Sequence, residues 1–113
     1  MQPYLIEPTD DLPIEFTGEE IGTGSSESLD GMRWTECRIY RTVGGRYVVV
    51  IEQDDEAENR DRMRAAERAT PEEIVAWLRA TNRGGALGRP AAVAVAAAAE
   101  RDDGFAALRR KVE

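Results

Sequence analysis

A predicted β-hairpin from Met32 to Gln53 constrains the fold of this chain more than any other segment. Its two strands are rich in β-branched and aromatic residues, which favour strands, and Gly44-Gly45 lies between them. Glycine is favoured in a two-residue type I′ turn because both central positions need a positive φ. With Gly44-Gly45 as the whole turn, Tyr40 would pair with Val49.

That register predicts which side chains share a face of the hairpin. One face would show Trp34, Glu36, Arg38, Tyr40, Tyr47, Val49 and Ile51. The other would show Cys37, Ile39, Arg41, Val48, Val50 and Glu52. Neither face is plainly polar, whereas an antiparallel sheet with one solvated face alternates cleanly. We therefore expect helices to cover one face and the N-terminal segment or a second subunit to cover the other, and we expect a homodimer.

The whole chain predicts a single α+β domain over residues 1–113, because a chain of this length forms one modest core. An extended N-terminal arm at 1–13 precedes an antiparallel meander at 14–69, and a helical part covers 70–113. We expect a three- to four-stranded antiparallel sheet, followed by two to three C-terminal helices packed on one face.

Two segments of the predicted sheet are irregular. Ile14 begins an alternating strand, but Ile21 has the opposite parity, so a β-bulge near Gly18–Glu20 would reconcile them. Residues 63–69 have a composition that suits a helix. We favour a fourth strand there, because Pro71 would stop any preceding helix at about residue 69.

The C-terminal part has clear helix signals. Thr70 is placed as an N-cap, Pro71 occupies the first helical position and Glu73 completes a capping box. This helix would end at about Thr81, and an Ala-rich helix would cover about 90–101. A short last helix would place on one face Phe105, Leu108 and Val112, with basic residues at 109–111 complementing its dipole.

Charge and cysteine content exclude several classes of function and location. The net charge is −7, and eight acidic residues precede the first basic residue, Arg33. Direct nucleic-acid binding needs a concentrated basic face, so we expect none. The single Cys37 cannot form an internal disulfide. The acidic N-terminus does not resemble a signal peptide. The apolar segment Ala91–Ala99 is too short to span a bilayer. We expect a soluble, cytoplasmic protein.

No catalytic, cofactor or metal site is predicted. The chain contains no histidine, which removes the commonest general base and the usual zinc ligands. The Gly22–Ser26 segment superficially resembles a phosphate loop but lacks its G-K-[ST] ending. We interpret Gly22–Gly31 as a flexible loop or irregular strand end. The acids of 54–58 with Asp61 lack the spacing of a calcium loop and are interpreted as a solvated turn. A small enzyme using carboxylates is the least favoured alternative.

The candidate functional site is the aromatic and charged face of the hairpin. Trp, Tyr and Arg side chains dominate the binding energy of protein interfaces. The simpler alternative is that this face packs under the arm or a helix, with Arg38 and Glu36 paired. The predicted interaction surface consists of Trp34, Glu36, Arg38, Tyr40 and Tyr47.

The segment from Ile14 to Ile51 contains an F-x-G-E segment, a Ser-Ser pair, an R-W-x-E…Y-R-T strand and a G-G-x-Y-V hairpin. In these motifs the chain resembles small uncharacterised proteins of actinobacteria and their mobile elements, loosely the EXLDI-type proteins. The E-x-L-D-I motif itself is absent from the C-terminus. The resemblance implies a shared fold and an accessory role on a mobile element, and it implies no catalytic residue.

These observations predict a non-enzymatic interaction or regulatory protein that binds a protein partner. The alternative is an acidic inhibitor that mimics nucleic acid, as anti-restriction and anti-CRISPR proteins do. Clustering of the N-terminal acids with those of 54–58 into one negative face would favour the alternative. Dispersal of these acids would favour the protein-interaction function.

Overall fold

Five antiparallel strands in sequential order form one curled sheet, and the computed structural model describes residues 1–108. Helices follow the sheet in the chain, so the predicted α+β class is confirmed. The strands are β1 Gln2–Ile6, β2 Ile14–Glu27, β3 Arg33–Thr42, β4 Tyr47–Asp55 and β5 Arg60–Arg68. The α-helices of the described part are α1 Pro71–Thr81, α2 Arg89–Arg101 and α3 Asp103–Ala106, with a 3-10 turn at Arg83–Gly85.

The first helix begins as its local sequence predicts. The Thr70 hydroxyl oxygen accepts a hydrogen bond from the backbone N–H of Glu73 at 3.2 Å, and Pro71 is the first helical residue. The preceding segment is strand β5, which confirms a strand rather than a helix at this position. Cap signals depend on neighbouring residues alone, and sequence therefore places this boundary well.

The prediction of three or four strands is wrong, because the N-terminal arm supplies a fifth. Strand β1 pairs with β2 so that Tyr4 lies opposite Phe16 and Ile6 opposite Ile14. Ile6 becomes buried in this arrangement. A five-residue segment that contains a proline is a weak strand signal despite its Tyr4-Leu5-Ile6 run, and docking on β2 stabilises it here.

Strand β2 extends to Glu27, into the Gly22–Gly31 segment that its composition assigned to a loop or an irregular strand end. Gly22 and Gly24 lie where helix α2 contacts the strand directly. A Cβ on Gly22 would lie 2.2 Å from the carbonyl oxygen of Ala94, and one on Gly24 would lie 2.2 Å from that of Pro90. These glycines therefore permit backbone contact between strand and helix, and they do not form a flexible or phosphate-binding loop.

The bulge that reconciles the two halves of β2 lies one residue beyond the predicted place. The register with β3 shifts between Glu20 and Gly22, so Ile21 is the extra residue. Ile21 is 1% exposed and belongs to the core under the helices. The bulge thus turns the second half of β2 so that its glycines meet α2.

The hairpin register differs from the predicted one by a single residue. Thr42 donates its N–H to the carbonyl of Arg46 at 2.8 Å, so the turn contains three residues rather than two. Of the two glycines only Gly45 has a positive φ, 80°. A three-residue turn with a left-handed glycine at its end is the next commonest hairpin connection. Consequently Tyr40 pairs with Val48, and every side chain of β4 exchanges faces relative to the prediction.

Both faces of the sheet are covered at least in part, as expected. The helix face, defined as the one under α1, α2 and α3, buries Ile21, Cys37, Ile39, Tyr47, Val49, Ile51 and Ala66. The second face buries a smaller cluster of Ile6, Tyr40, Val48 and Val50, packed against Tyr4, Ile14 and Phe16. The arm therefore covers part of the second face from within the chain.

The segment after β1 reaches across the second face to the far edge of the sheet. The N–H of Thr9 donates to the carbonyl of Met63 on β5 at 2.8 Å, and the N–H of Met63 donates to Oγ1 of Thr9 at 2.9 Å. Within residues 1–108, no helix combines the length and apolar character needed to cross a membrane. The predicted positions of Val112 and of the basic residues 109–111 lie outside the described residues.

Candidate functional site

Three side chains form a row across the second face, at the end remote from the Gly44-Gly45 turn. The strand register pairs Trp34 on β3 with Asp54 on β4, and Asp54 with Asp61 on β5. Directly paired residues of antiparallel strands point to the same face, with Cβ atoms about 5 Å apart. We call Trp34, Asp54 and Asp61 the Trp34 row.

The Trp34 row lines a groove of about 770 Å³. Thr9 and Asp10 of the N-terminal arm line the same groove, so the arm that covers the buried cluster also borders this opening. Trp34 and Asp54 are partly buried, and Asp61 is exposed. The groove therefore presents an aromatic ring and two carboxyl groups to solvent, and Arg33, Arg60 and Arg62 also line it.

The two carboxyl groups of the row interact with each other. The hydrogen bond with Asp61 raises the pKa of Asp54 above its usual value, with further contributions from burial and from repulsion by the Asp61 charge. Two carboxylates that face each other compete for a proton because both cannot ionise freely. A positively charged group placed between them would remove that repulsion.

Arg38 and Glu36, two members of the predicted surface, form an internal ion-pair cluster next to the row. Nη1 of Arg38 lies 2.5 Å from Oε1 of Glu36 and 3.0 Å from Oε1 of Glu52 on β4. Although burial acts against the charged guanidinium, the two carboxylates hold the pKa of Arg38 above its usual value. Arg38 thereby joins two like charges that the register places opposite each other.

Tyr40 is a core residue of the second face. It is 5% exposed, and its ring packs on those of Tyr4 and Phe16 with centroid distances of 4.7 and 5.4 Å. Its hydroxyl accepts a hydrogen bond from Nε of Arg38 at 3.1 Å. Tyr40 therefore packs under the N-terminal arm, as the simpler alternative to an interaction surface predicts.

Tyr47 lies on the opposite face from the other four predicted residues, because of the one-residue difference in register. Its hydroxyl donates to Oδ1 of Asp102 at 3.2 Å, and its ring makes an edge contact with Phe105 at 5.4 Å. Burial and the hydrogen bond to Asp102 raise the pKa of Tyr47 to about 12. Tyr47 therefore belongs to the contact between the sheet and α3.

Sequence reasoning missed the pairing of Asp54 with Asp61. It assigned the acidic segment to a solvated turn, whereas β4 continues to Asp55 and β5 begins at Arg60. The connecting turn contains Asn59 with a φ of 52°, a conformation that asparagine accepts better than most residues. A four-residue connection over 56–59 that ends at this asparagine would have placed the two aspartates opposite each other.

A search of protein-family models, curated proteins and solved structures found no match to the chain. The candidate site therefore rests on its own geometry. An aromatic face attracts cations through its π electrons, and carboxylates pair with ammonium and guanidinium groups. The Trp34 row combines both features and suits a cationic side chain.

Proposed function

We propose that this chain is a non-enzymatic interaction protein that binds a protein partner through the groove around Trp34. A basic side chain of the partner would lie between the Trp34 ring and the carboxyl groups of Asp54 and Asp61. The observation that carries the proposal is the Trp34 row itself, which opens into the groove of about 770 Å³. The accessory role on a mobile element, implied by the sequence resemblance, is part of the proposal.

The row would act as an anchor within a larger interface. A cation at an exposed aromatic ring contributes about 0.5–1 kcal/mol, which is too little for specific binding. A stable interface buries about 1,200–2,000 Å² in total. Leu29 and Met32, both exposed in the turn that precedes Trp34, provide apolar surface beside the groove. Contact with this turn would add the area that the anchor lacks.

The charge distribution favours this function over mimicry of nucleic acid. Arginines alternate with the acids around the groove, and Nε of Arg33 lies 3.5 Å from Oδ2 of Asp55. Arg60 pairs with Glu58, and Arg38 neutralises part of the charge on the second face. A nucleic-acid mimic needs an uninterrupted negative surface, because its target is a continuous basic site.

The expected homodimer stays a prediction. The expectation arose from apolar and aromatic side chains on both faces of the hairpin. Tyr4, Ile6 and Phe16 now cover the second face near the Gly44-Gly45 turn. The apolar surface left for a second copy on that face is accordingly smaller.

Affinity capture from a host lysate tests the proposed function. We expect a partner that is retained by the wild-type protein and lost with Trp34→Ala and with the double variant Asp54→Asn/Asp61→Asn. Val43→Ala is the matched control, since Val43 is exposed apolar surface at the other end of the sheet. A partner retained by all variants would contradict the assignment of the groove. Light scattering on the same samples measures the mass and tests the dimer.

A further inference from the structure

The second half of strand β2 has a partner strand on one side only. Strand β1 pairs with β2 from Ile14 to Gly18, whereas β3 pairs with the other side of β2 from Gly18 to Glu27. Within the part of the chain that the structure describes, residues 19–27 therefore form an open edge of the sheet. Unpaired backbone groups at such an edge can pair with another extended chain. We call residues 23–27 the β2 edge.

Alternate residues of the β2 edge direct their backbone N–H and C=O groups away from the sheet. Ser28 donates its N–H to the carbonyl of Arg33 on β3 at 2.9 Å. Backbone hydrogen bonds alternate along an antiparallel pair, so Thr23, Ser25 and Glu27 point outward. All three residues are exposed, and their backbone groups have no backbone partner among residues 1–108. The β2 edge thus offers three donors and three acceptors to solvent.

The two outermost strands of the sheet are better protected. Thr17 accepts a hydrogen bond from the N–H of Val43 on the β3 side, so its partner on β1, Pro3, faces outward and has no N–H to donate. On β5, both backbone groups of Met63 are bonded to Thr9. Prolines and crossing segments are usual ways to protect a sheet edge. The β2 edge has neither.

The second face beside the β2 edge is acidic. Glu27 forms no ion pair with another described residue, and the register places it directly opposite Trp34, which in turn pairs with Asp54. The basic residue opposite Thr23 is Arg38, and carboxylates already pair with it. Opposite charges on neighbouring strands attract. A strand with basic side chains on this face would therefore match the charge of the edge.

On the helix face, an apolar flank of α2 borders the β2 edge. A Cβ on Gly24 would lie 2.8 Å from Cβ of Val93, and Val93 is 46% exposed. Ala97 lies one helical turn further along the same flank. The other flank, with Val95 and Ala99, packs against the core, so Val93 is turned toward the open side of β2. Small apolar side chains on an added strand would contact this flank.

A second copy of this chain does not fit on the β2 edge. Pairing of β2 with β2 would place the two strands about 4.8 Å apart. Helix α2 lies directly on β2, in backbone contact at Gly22 and Gly24, so the two α2 helices would come nearly as close. Packed helices need about 8–10 Å between their axes. An extended segment without a helix of its own avoids this conflict.

We propose that the β2 edge binds an extended segment of a protein partner as a sixth strand, with basic and small apolar residues in alternation. The backbone groups of Thr23, Ser25 and Glu27 bond to the segment, and the Glu27 carboxylate pairs with one of its basic side chains. Val93 contacts an apolar side chain of the segment. Main-chain bonds supply affinity in this mode of recognition, and alternate side chains supply specificity. The site requires neither Asp54 nor Asp61 and is therefore independent of the proposed cation site at the Trp34 row.

NMR of the full chain with an acetylated and amidated Lys-Val-Lys-Val-Lys peptide tests the β2 edge. We expect the amide resonances of Thr23, Ser25 and Glu27 to shift, with a dissociation constant of about 1 mM or tighter. At ten times that concentration of peptide, hydrogen exchange of these amides should slow by about tenfold. Two N-methylated peptides, one methylated at every Lys amide and one at every Val amide, then test the strand geometry. Only alternate N–H groups of a strand face its neighbour, so one of the two peptides should lose binding and the other should bind as the parent does.

Variants of the chain test the same contact from the other side. Ser25→Pro removes an outward N–H without removing a bond to β3, and it should weaken peptide binding by about tenfold or more. Ser25→Ala keeps that N–H and is the matched control, so it should bind as the wild type does. The double variant Asp54→Asn/Asp61→Asn should still show the response at the edge amides. That variant separates loss of the groove function from loss of the edge.

Four results would overturn the proposal. The first is the absence of peptide-dependent shifts at the edge amides of the wild-type protein, and the second is an equal effect of the two N-methylated peptides. The third is unchanged binding in a folded Ser25→Pro protein. The fourth is a response that disappears with Asp54→Asn/Asp61→Asn, which would place the peptide in the groove. If Ser25→Pro fails to fold, the two N-methylated peptides on the wild-type protein decide.

Discussion

The helix face and the second face of the same sheet differ in what covers them. On the helix face Ile39 and Val49 are completely inaccessible to solvent, and α2 lies on β2 in backbone contact at the glycines. On the second face a short arm covers one end, where Tyr4 and Phe16 stay partly exposed, and the Trp34 row remains open. The difference indicates that the helix face supplies most of the stability, and the second face contains the proposed binding surface.

The largest expected effect comes from removing an aromatic ring on each face. Phe105→Ala should lower the free energy of unfolding by about 3–5 kcal/mol, because Phe105 of α3 is fully buried against the helix face. Phe16→Ala should cost about 2 kcal/mol or less, since Phe16 is partly exposed. Urea unfolding of both variants measures the difference. Equal losses would show that the two faces contribute alike.

A single methyl group tests the close contact between β2 and α2. Gly22→Ala should destabilise the protein by about 2–3 kcal/mol, because the new Cβ would lie 2.2 Å from the carbonyl oxygen of Ala94. Gly44→Ala is the control, and its Cβ would have its nearest neighbour, Oγ1 of Thr42, at 3.8 Å. That control should change the free energy of unfolding by about 0.5 kcal/mol or less. A tolerant Gly22 would mean that the helix does not lie on the strand backbone.

The helix face should also make stability sensitive to alkaline pH. Burial raises the pKa of Cys37 to about 12, and burial with the Asp102 hydrogen bond raises that of Tyr47 to about 12. Both groups lose protons at lower pH in the unfolded chain than in the folded one. The free energy of unfolding should therefore fall as the pH rises from about 9 to 12. The double variant Cys37→Ala/Tyr47→Phe should lose most of that slope, and a slope unchanged in it would contradict this assignment.

The smallest expected effect concerns the carboxyl pair of the second face. Asp61→Ala should lower the pKa of Asp54, since the hydrogen bond and the repulsion from Asp61 are removed. The change in the free energy of unfolding should stay within about 0.5 kcal/mol, because Asp61 is exposed. Titration of the Asp54 carboxyl by NMR measures the shift. Glu58→Ala is the control and should leave the pKa of Asp54 in place.

The parts of the fold that local residues determine could be predicted from the sequence. The Thr70 cap with Glu73 placed the start of α1, and Pro71 favoured a strand before it. Tertiary contacts decide the remainder. Gly22 and Gly24 have the composition of a loop, and only the approach of α2 explains them as strand residues. The arm likewise becomes β1 because β2 is available for pairing.

The candidate site could be predicted only up to the hairpin turn. Trp34, Arg38 and Tyr40 share the second face as expected, because alternation along one strand requires no partner. Tyr47 was assigned to the wrong face, since the glycine pair fits a two-residue and a three-residue turn equally well. Packing of β4 against both layers decides whether the two-residue or the three-residue turn forms.

Fluorescence of a single tryptophan tests the central claim most directly. The chain has two tryptophans, so Trp77→Phe leaves Trp34 as the only reporter. We expect a hexalysine peptide to change the Trp34 emission in a saturable way that weakens with added salt, because charge attraction contributes to binding. The response should vanish when Asp54→Asn and Asp61→Asn are added. An unchanged emission, or an equal response in the charge-neutral variant, would contradict the groove as a site for cationic partners.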